Sequence, residues 1–366
     1  MSEPLQKPAL LDQSREELAQ VLGQWGQPAY RAGQIRDMLL KGRRISDMQT
    51  IPKALREQLA QHFRLGGARI VESRDSALDD TRKFLFELDD GNLIEGVLMR
   101  YHHGSTLCVS TQVGCRMGCA FCASTRGGLV RHLAPGEMLG QILAVTADEH
   151  NTTVGKASGR AIDNLVLMGS GEPLDNYDNV LSFLRRATAP APEGLGISAR
   201  NISVSTCGLP AGMDRLAQEN LPVTLCLSLH SADEATRGRL IPAARAFSLS
   251  QVIDALRRYV RQTGRRAIVE YALIAGVNDS PADAAKLAAL LRGLQVHVNL
   301  IPLNDVPESD LKGVTHAQAE RFLRQLTGHG VSATIRRTLG ADIEGACGQL
   351  RRRRMEESNE VRKNEK

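Results

Sequence analysis

The stretch TLCVSTQVGCRMGCAFC, residues 106–122, joins a run of strand-forming residues to three closely spaced cysteines. Its first part, 106–112, has strand character, and its second part carries Cys115, Cys119 and Cys122. Three thiolates are one fewer than the four ligands of a closed structural zinc site. The stretch therefore poses two questions: which fold presents these cysteines, and what completes their ligand set.

From this stretch onward, short apolar or β-branched runs alternate with helical segments. Such alternation predicts parallel strands joined by crossover helices, in a barrel-like or doubly wound sheet. A seventh run, 331–340, is predicted to close or extend the sheet. The six predicted strands of the main pattern are 106–112, 164–170, 201–207, 223–230, 267–273 and 296–304.

The sequence before this region divides into two parts, and a short tail ends the chain. Residues 1–65 have helical periodicity, with Ser14 and Glu17 spaced as a capping box. Residues 66–105 carry alternating runs split by turn signals, which predicts a β-hairpin extension. We expect the core to span 106–350 and the charged tail to span 351–366.

Composition limits the classes of function. With 366 residues and 42% hydrophobic content, the chain can form one large domain and a smaller one. No apolar run approaches the roughly 18 residues of a membrane span, and the N-terminal residues lack a secretory pattern. We therefore expect a cytoplasmic protein with no membrane partner. Seven cysteines, three of them in one loop, indicate metal or redox chemistry instead of a secreted disulfide framework.

Polar loops follow five of the six predicted strands. They are the cysteine loop, GSGEPLDN, STCG, SLHS and PLN. In parallel α/β folds ligands bind at the carboxyl ends of strands, so we expect these loops to converge on one site.

Two ligand sets are compatible with the cysteine loop. A zinc ion would need a fourth ligand from Cys108, Cys347 or His132. A [4Fe–4S] cluster held by three thiolates leaves one iron open for another ligand, which explains the number of cysteines better.

The C-x3-C-x2-C pattern with Phe121 before its last cysteine resembles the signature of the radical S-adenosylmethionine (SAM) superfamily. The neighbouring motifs LVLMGSGEPLDN, ISVSTCG, LSLHSADEATRGRLIP, VEYALIAGVNDS, VNLIPLN and GADIEGACGQL together resemble the RlmN/Cfr family of RNA adenine methyltransferases. The resemblance implies a partial (β/α)6 radical SAM barrel, with a small helical N-terminal domain of RNA-binding type and a β-hairpin extension. It also implies a [4Fe–4S] cluster and SAM as cofactors.

By this resemblance, one SAM methylates a cysteine, and a second SAM, cleaved at the cluster, supplies a radical that takes hydrogen from the S-methyl group. The resulting methylene radical adds to carbon 2 of adenine. The methylated cysteine corresponds to Cys347, the cysteine that resolves the protein–RNA thioether to Cys108, and the general base to Glu95. Without the resemblance, Glu95 is better interpreted as an exposed strand residue and Cys108 as a buried small hydrophobe.

The resemblance further assigns residues to SAM. Gly171 and Glu172 correspond to the loop that binds the methionine amino group. Ribose and carboxylate contacts correspond to Ser205, Ser228, Leu229, His230 and Asn304. The remaining cysteines, Cys207 and Cys226, are predicted to be packing residues.

The implied partners are 23S rRNA at the peptidyl-transferase centre, tRNA next to the anticodon, and an external one-electron donor of flavodoxin or ferredoxin type. A monomer is expected. The net charge of +5 and the arginine clusters fit an RNA substrate, with Arg336, Arg337 and residues 351–354 as candidates for phosphate contacts. The nearest alternative is the sister activity at carbon 8 of adenine, and a zinc-stabilised RNA-binding factor is a third.

Overall fold

We describe the fold from a computed structural model that covers residues 7–102, 104–152, 161–303, 310–337 and 339–343, with the backbone alone at 150–152 and 341. The strands are β1 (Ala68–Asp75), β2 (Thr81–Leu88), β3 (Leu93–Tyr101), β4 (Gly104–Cys108), β5 (Gln112–Gly114), β6 (Leu129–His132), β7 (Asn164–Leu167), β8 (Ile202–Thr206), β9 (Thr224–Ser228), β10 (Ala267–Leu273), β11 (Val296–Pro302) and β12 (Ala333–Ile335). The helices are α1 (Arg15–Gln24), α2 (Tyr30–Leu40), α3 (Lys53–His62), α4 (Pro135–Thr152), α5 (Tyr177–Thr188), α6 (Pro210–Gln218), α7 (Glu234–Leu240), α8 (Leu249–Thr263), α9 (Pro281–Leu291) and α10 (His316–Gly328).

One open sheet of ten strands organises the molecule, in the order β1-β2-β3-β4-β7-β8-β9-β10-β11-β12. From β4 to β12 every neighbouring pair is parallel, which confirms the predicted α/β partial barrel. The predicted seventh run provides β12 at one edge of the sheet. On the other side, β1 to β4 pair antiparallel, which confirms the predicted hairpin extension.

The two faces of the parallel strands differ in chemistry. Side chains alternate along a strand, so Leu225 and Leu227 join the main core, whereas Cys226 and Ser228 face the other side. The apolar face packs against α4, α5, α6, α8, α9 and α10. The opposite face carries polar residues on several strands, among them Ser205, Glu270 and Asn299. Helices thus cover one face of the sheet, and the other face is left to line a site.

The N-terminal helices have a hydrophobic cluster of their own, centred on Leu18, Leu22 and Ile35. The predicted capping box is confirmed, since Ser14 Oγ accepts from Glu17 N and the Glu17 carboxylate accepts from Ser14 N. The segment before α1 is tied to the barrel helices. Arg186 of α5 donates to the carbonyl oxygens of Leu11 and Asp12, and the Asp12 carboxylate accepts from Gly136 N.

Several elements differ from the sequence-based expectation. The predicted strand 106–112 is divided between β4 and β5, and β5 pairs with β6 in a separate two-stranded ribbon. Strands of three and four residues are too short to show a periodic pattern. Two helices, α7 and α10, were not predicted, although α10 begins with a capping box at Thr315 and Gln318 that the sequence displays. Within the described residues, no helix is both long enough and apolar enough to span a membrane.

Helix α4 lies so close to β1 that only glycine fits at position 140. A Cβ at Gly140 would lie 2.4 Å from the backbone nitrogen of Ala68, which cannot rotate away. We expect Gly140→Ala to lower the free energy of unfolding by about 1–3 kcal/mol, as overpacking does. Urea denaturation followed by circular dichroism measures this change.

Gly328, the last residue of α10, is the matched control, because a Cβ there would meet nothing within 4 Å. Gly328→Ala should change the free energy of unfolding by less than about 1 kcal/mol. Equal losses of stability in the two variants would contradict the close packing of α4 against β1.

Candidate active site

A cavity of about 220 Å³ opens where the parallel strands end. The cysteine loop and the loops after β7, β8 and β9 form its wall, which confirms the predicted convergence for those four loops. The last loop, PLN, ends at Asn304, which lies outside the described residues. Of the site residues predicted from sequence, those that line the cavity are Cys115, Cys119, Cys122, Gly171, Glu172, Ser205, Ser228 and His230.

The β5–β6 ribbon clamps the base of the cysteine loop. Cys115 N donates to Gly128 O across the ribbon at 3.0 Å. Gly114 has a φ of +78°, and a Cβ there would lie 2.0 Å from Gly128 O. Because glycine alone tolerates both the positive φ and this approach, the ribbon depends on Gly114. At the tip, Cys122 N donates to Cys119 O at 3.1 Å, which turns the chain between the last two cysteines.

Helix α7 and the turn after it support the loop from behind. Ala120 N donates to Leu240 O at 2.9 Å, and Ala243 N donates to Met117 O at 3.2 Å. Leu240, Ile241 and Ala244 pack with Cys115 and Met117 in one hydrophobic cluster. The segment ATRGRLIP therefore has a structural part in the site that the sequence pattern did not reveal.

The three cysteines form a donor set that fits an iron–sulfur cluster. Burial raises the pKa of the Cys115 thiol to about 12, and it raises the pKa of Cys119 as well, with added repulsion from Cys122 and Cys115. Thiols that are costly to ionise alone become thiolates when a metal centre offsets their charge. Three thiolates from one loop match the ligand number of a cluster with one open iron.

The described residues show no ready-made site for a single metal ion. Among them, no three His, Cys, Asp or Glu side chains are placed to hold one metal ion together. His132, a predicted alternative ligand, has its Nδ1 3.0 Å from Gln112 Nε2. Cys347, another alternative, lies outside the described residues.

The loop after β7 presents Gly171 and Glu172 to the cavity. Gly171 has a φ of +112°, and a Cβ there would lie 2.6 Å from the Gln112 side chain. The Glu172 carboxylate is buried and accepts from Cys207 N at 2.8 Å and Leu174 N at 3.1 Å. Burial raises the pKa of Glu172, and these two backbone donors oppose that shift. The carboxylate is thereby held in one orientation at the cavity wall.

The predicted SAM residues on β8 and β9 divide between wall and core. Ser205 Oγ and Ser228 Oγ lie 3.2 Å apart, and both line the cavity. Leu229 is fully buried in the main hydrophobic core, so its side chain does not reach the cavity. Its backbone N donates to Glu270 O at 3.0 Å. A ligand role for Leu229 is therefore restricted to its backbone.

His230 is held in one position by contacts on several sides. Its backbone has a φ of +58°, a conformation that few residues other than glycine adopt. Nδ1 accepts from Ala272 N at 3.0 Å, and the ring meets Phe121 edge to face at 4.8 Å. Burial, helped by the Arg237 charge, lowers the pKa of His230 to about 3. The imidazole is therefore neutral near pH 7 and links the β9 loop to the cysteine loop.

Three ionisable residues of the cavity lining were not among the predicted catalytic, cluster or SAM residues. Cys207, expected to be a packing residue, is buried but lines the cavity. Glu270 of β10 and Arg336 after β12 also line it. In the sequence, the acidic residue within the apolar run AIVEYAL was the available signal for Glu270. Arg336, predicted to meet RNA phosphates at the surface, is half-buried, whereas Arg337 is exposed.

Glu95 and Cys108 lie on adjacent strands and on the same face of the sheet. Cys108 pairs with Val97 in the β3–β4 register, and Glu95 is two residues before Val97. Glu95 is buried, so the exposed interpretation is wrong, and its carboxylate lies 3.2 Å from Lys83 Nζ, which is fully buried. Neither Glu95 nor Cys108 belongs to the described cavity lining.

A segment after β12 crosses to the hairpin extension beside Cys108. Leu339 packs against the cluster of Val97, Met99 and Cys108. Gly340 N donates to the Asp79 carboxylate at 2.9 Å, and the Asp342 carboxylate accepts from Ser76 Oγ at 2.6 Å and Ala77 N at 2.7 Å. Cys347 itself lies outside the described residues.

The Gly114 clamp can be tested without an activity assay. Gly114→Ala should disrupt the ribbon, misplace Cys115 and reduce the iron and sulfide bound per chain after anaerobic reconstitution severalfold. Gly127→Ala is the matched control in the same loop, because a Cβ at Gly127 would meet nothing within 4 Å. Full cluster content in the Gly114 variant would contradict the proposed role of the ribbon.

Comparisons with known proteins agree with this geometry. The family model of the radical SAM superfamily matches residues 109–288. The chain is 45% identical over 345 residues to a Clostridium perfringens protein named probable dual-specificity RNA methyltransferase RlmN, and the match covers 94% of this chain and 96% of that protein. A Clostridium acetobutylicum protein of the same name is 45% identical over 350 residues, which cover 95% of this chain and 98% of the relative.

A solved structure shows the same fold. The crystal structure of a radical SAM methyltransferase from Sphaerobacter thermophilus superposes with a TM-score of 0.88 at 42% identity, covering 93% of this chain and 98% of that one. Identity at this level over nearly the whole length shows that the chain belongs to the RlmN family of radical SAM RNA methyltransferases, whose cofactors are a [4Fe–4S] cluster and SAM.

Proposed function

We propose that this chain methylates carbon 2 of adenosine in 23S rRNA, at the peptidyl-transferase centre, and in tRNA next to the anticodon. The reaction would proceed through an S-methylcysteine and a transient protein–RNA adduct. The observation that carries the proposal is the arrangement of two neighbouring sites. A cavity that joins the cysteine loop to Glu172 and Ser228 lies at the ends of the strands, and Cys108 lies beneath the segment leading to Cys347.

The residues present fit both cofactors. Cys115, Cys119 and Cys122 would hold the cluster, and Glu172 would pair with the ammonium group of SAM while Gly171 allows close backbone approach. When bound, the two cofactors supply one-electron chemistry and the methyl group. Ser205, Ser228 and His230 supply polar atoms in the same wall, and the backbone of Leu229 joins them. Asn304, outside the described residues, completes the proposed set.

Two cysteines outside the cluster loop would carry the covalent steps. The Cys347 thiolate accepts the methyl group, and after loss of one hydrogen atom from that group the remaining methylene links its sulfur to carbon 2 of the adenine. Glu95 then removes the proton from carbon 2, and the adduct gives up its unpaired electron to a one-electron carrier. The Cys108 thiolate attacks the Cys347 sulfur, so that a disulfide forms as the carbon–sulfur bond breaks, and the methylene carbon keeps the electron pair of that bond and takes up a proton to become the product methyl group. The burial of Glu95 beside Lys83, on the face that also carries Cys108, supports this assignment.

The RNA would approach the open side of the cavity with its target base flipped out of the stack. Arg337 is exposed next to Arg336 in the cavity wall, which places positive charge at the entrance. We propose that 1–65 is the small RNA-binding-type domain, 66–105 the extension, 106–350 the catalytic core and 351–366 a basic tail. We further propose an external one-electron donor of flavodoxin or ferredoxin type, a monomer, and a cytoplasmic location, where both RNAs occur.

The two covalent roles predict different defects. Cys347→Ala should abolish methyl transfer but preserve cluster content and SAM cleavage, because it removes only the methyl carrier. Cys108→Ala should trap the protein–RNA adduct, visible as a slowly migrating band on a denaturing gel. Cys226→Ala, at a buried cysteine outside the cavity lining, is the control and should turn over. Normal turnover of the Cys108 variant would contradict its resolving role.

Nucleoside mass spectrometry shows whether carbon 2 or carbon 8 of adenosine is methylated. RNA treated with the reconstituted enzyme, SAM and a reductant should contain 2-methyladenosine. The product 8-methyladenosine, without 2-methyladenosine, would instead assign the carbon-8 activity. Incubation with 23S rRNA and tRNA in separate reactions tests the dual specificity at the same time.

A further inference from the structure

Glu270 presents an unsatisfied carboxylate oxygen in the wall of the cavity. The residue lies on β10 and is only 4% exposed. One oxygen, Oε1, accepts from Asn299 Nδ2 at 3.1 Å. The other, Oε2, is buried and has no hydrogen-bond partner in the part of the chain that the structure describes. Glu270 also belongs to the lining of the cavity that the cysteine loop borders.

This arrangement lowers the stability of the folded protein when no ligand pairs with the Glu270 oxygen. A buried polar group left unpaired costs about 1–3 kcal/mol, and more when it is charged. Burial raises the pKa of Glu270, and the nearby Arg336 charge partly opposes that shift. Packing does not require an acid here, because the side chain faces away from the main core that its strand neighbours Val269 and Tyr271 join. A binding role accounts for a carboxylate at this position.

The sheet register places Glu270 beside the serines of the cavity wall. Ser228 on β9 and Asn299 on β11 are its direct partners in the two parallel ladders. Ser228 Oγ in turn lies 3.2 Å from Ser205 Oγ. Leu229 N and His230 N both donate to the backbone oxygen of Glu270, at 3.0 and 3.4 Å. The carboxylate is therefore fixed at the same level as the hydroxyl pair.

The side chains of Ser205, Ser228 and Glu270 together favour a ligand with hydroxyl donors. Serine hydroxyls both donate and accept, whereas a carboxylate only accepts. A vicinal diol offers two O–H donors and oxygen acceptors together, which matches two serines and one carboxylate. We propose that Glu270 is a positioning residue that accepts a hydrogen bond from a ribose hydroxyl of SAM. The proposal rests on the proposed function, in which Ser205 and Ser228 belong to the set of residues that contact SAM.

The first test removes the acceptor. In Glu270→Gln, Asn299 Nδ2 keeps its acceptor oxygen, and the amide nitrogen faces the ligand, so the ribose hydroxyl loses its acceptor. SAM binding to the reconstituted protein, measured by anaerobic equilibrium dialysis without RNA, should weaken about tenfold or more. Thr334 on β12 pairs with Asn299 but lies outside the cavity lining, so Thr334→Val is the control. This variant should bind SAM normally.

The second test removes the donor. The 2′-deoxy and 3′-deoxy analogues of SAM are compared on the unchanged protein and on the variant. One of the two analogues should bind the unchanged protein about tenfold more weakly than SAM does. The variant should bind this analogue no more weakly than the unchanged protein does. The comparison on the unchanged protein still applies if the variant folds poorly, which its iron content and circular dichroism report.

Several outcomes would overturn the proposal. Equal weakening of SAM and both analogues by Glu270→Gln would mean that the carboxylate does not contact the ribose. Unchanged SAM binding together with a raised KM for RNA would assign Glu270 to the target base instead. Because binding is measured without RNA, formation of 8-methyladenosine would refute the proposed position of methylation and leave this inference intact. Failure of the reconstituted, unchanged protein to bind SAM would refute both.

Discussion

Neighbouring strands pair parallel from β4 through β7 to β12, and the rest of the site depends on this constraint. Parallel strands end at the same edge of a sheet, so the loops after β7, β8 and β9 meet although they are far apart in the chain. Alternation of side chains then assigns one face to the helices and the other to the cavity. Each strand thus contributes to both stability and function, and a shift of one residue in register would exchange the two faces.

The cavity wall is made rigid mainly through backbone hydrogen bonds. Gly114 brings the β5–β6 ribbon together, and α7 supports the middle of the cysteine loop through Ala120. The Glu172 carboxylate holds a backbone N–H of the loop after β8, and His230 Nδ1 holds a backbone N–H of β10. A cluster ligand set needs thiolates at defined separations, and a loop supported along its length can provide them before the cofactor binds.

The hairpin extension has a second role besides completing the sheet. It supplies Glu95 and Lys83 on the face of Cys108, and its first turn anchors Gly340 and Asp342. The segment that leads to Cys347 is thereby tied to the strands that carry Glu95 and Cys108. Local anchors of this kind limit the conformational freedom of residues 339–343.

Sequence reasoning succeeded where the signal is local. The Ser14 capping box and the alternation of strands and helices depend on residues a few positions apart, and the structure agrees with them. It missed α7, the β5–β6 ribbon, Lys83 and Glu270, whose roles arise from contacts across the sheet. A glutamate within an apolar strand signals an unusual position, but the sequence does not state which groups surround it.

The sequence by itself determined the α/β class and the loops that line the cavity, because periodicity and spacing are properties of neighbouring residues. Only the tertiary structure decided that Leu229 is a core residue, that Glu95 pairs with Lys83, and that Glu270 has a buried oxygen without a hydrogen-bond partner among the described residues. The physical reason is that burial and partnership depend on strand register. Register joins distant segments, and its effect appears only when the sheet is assembled.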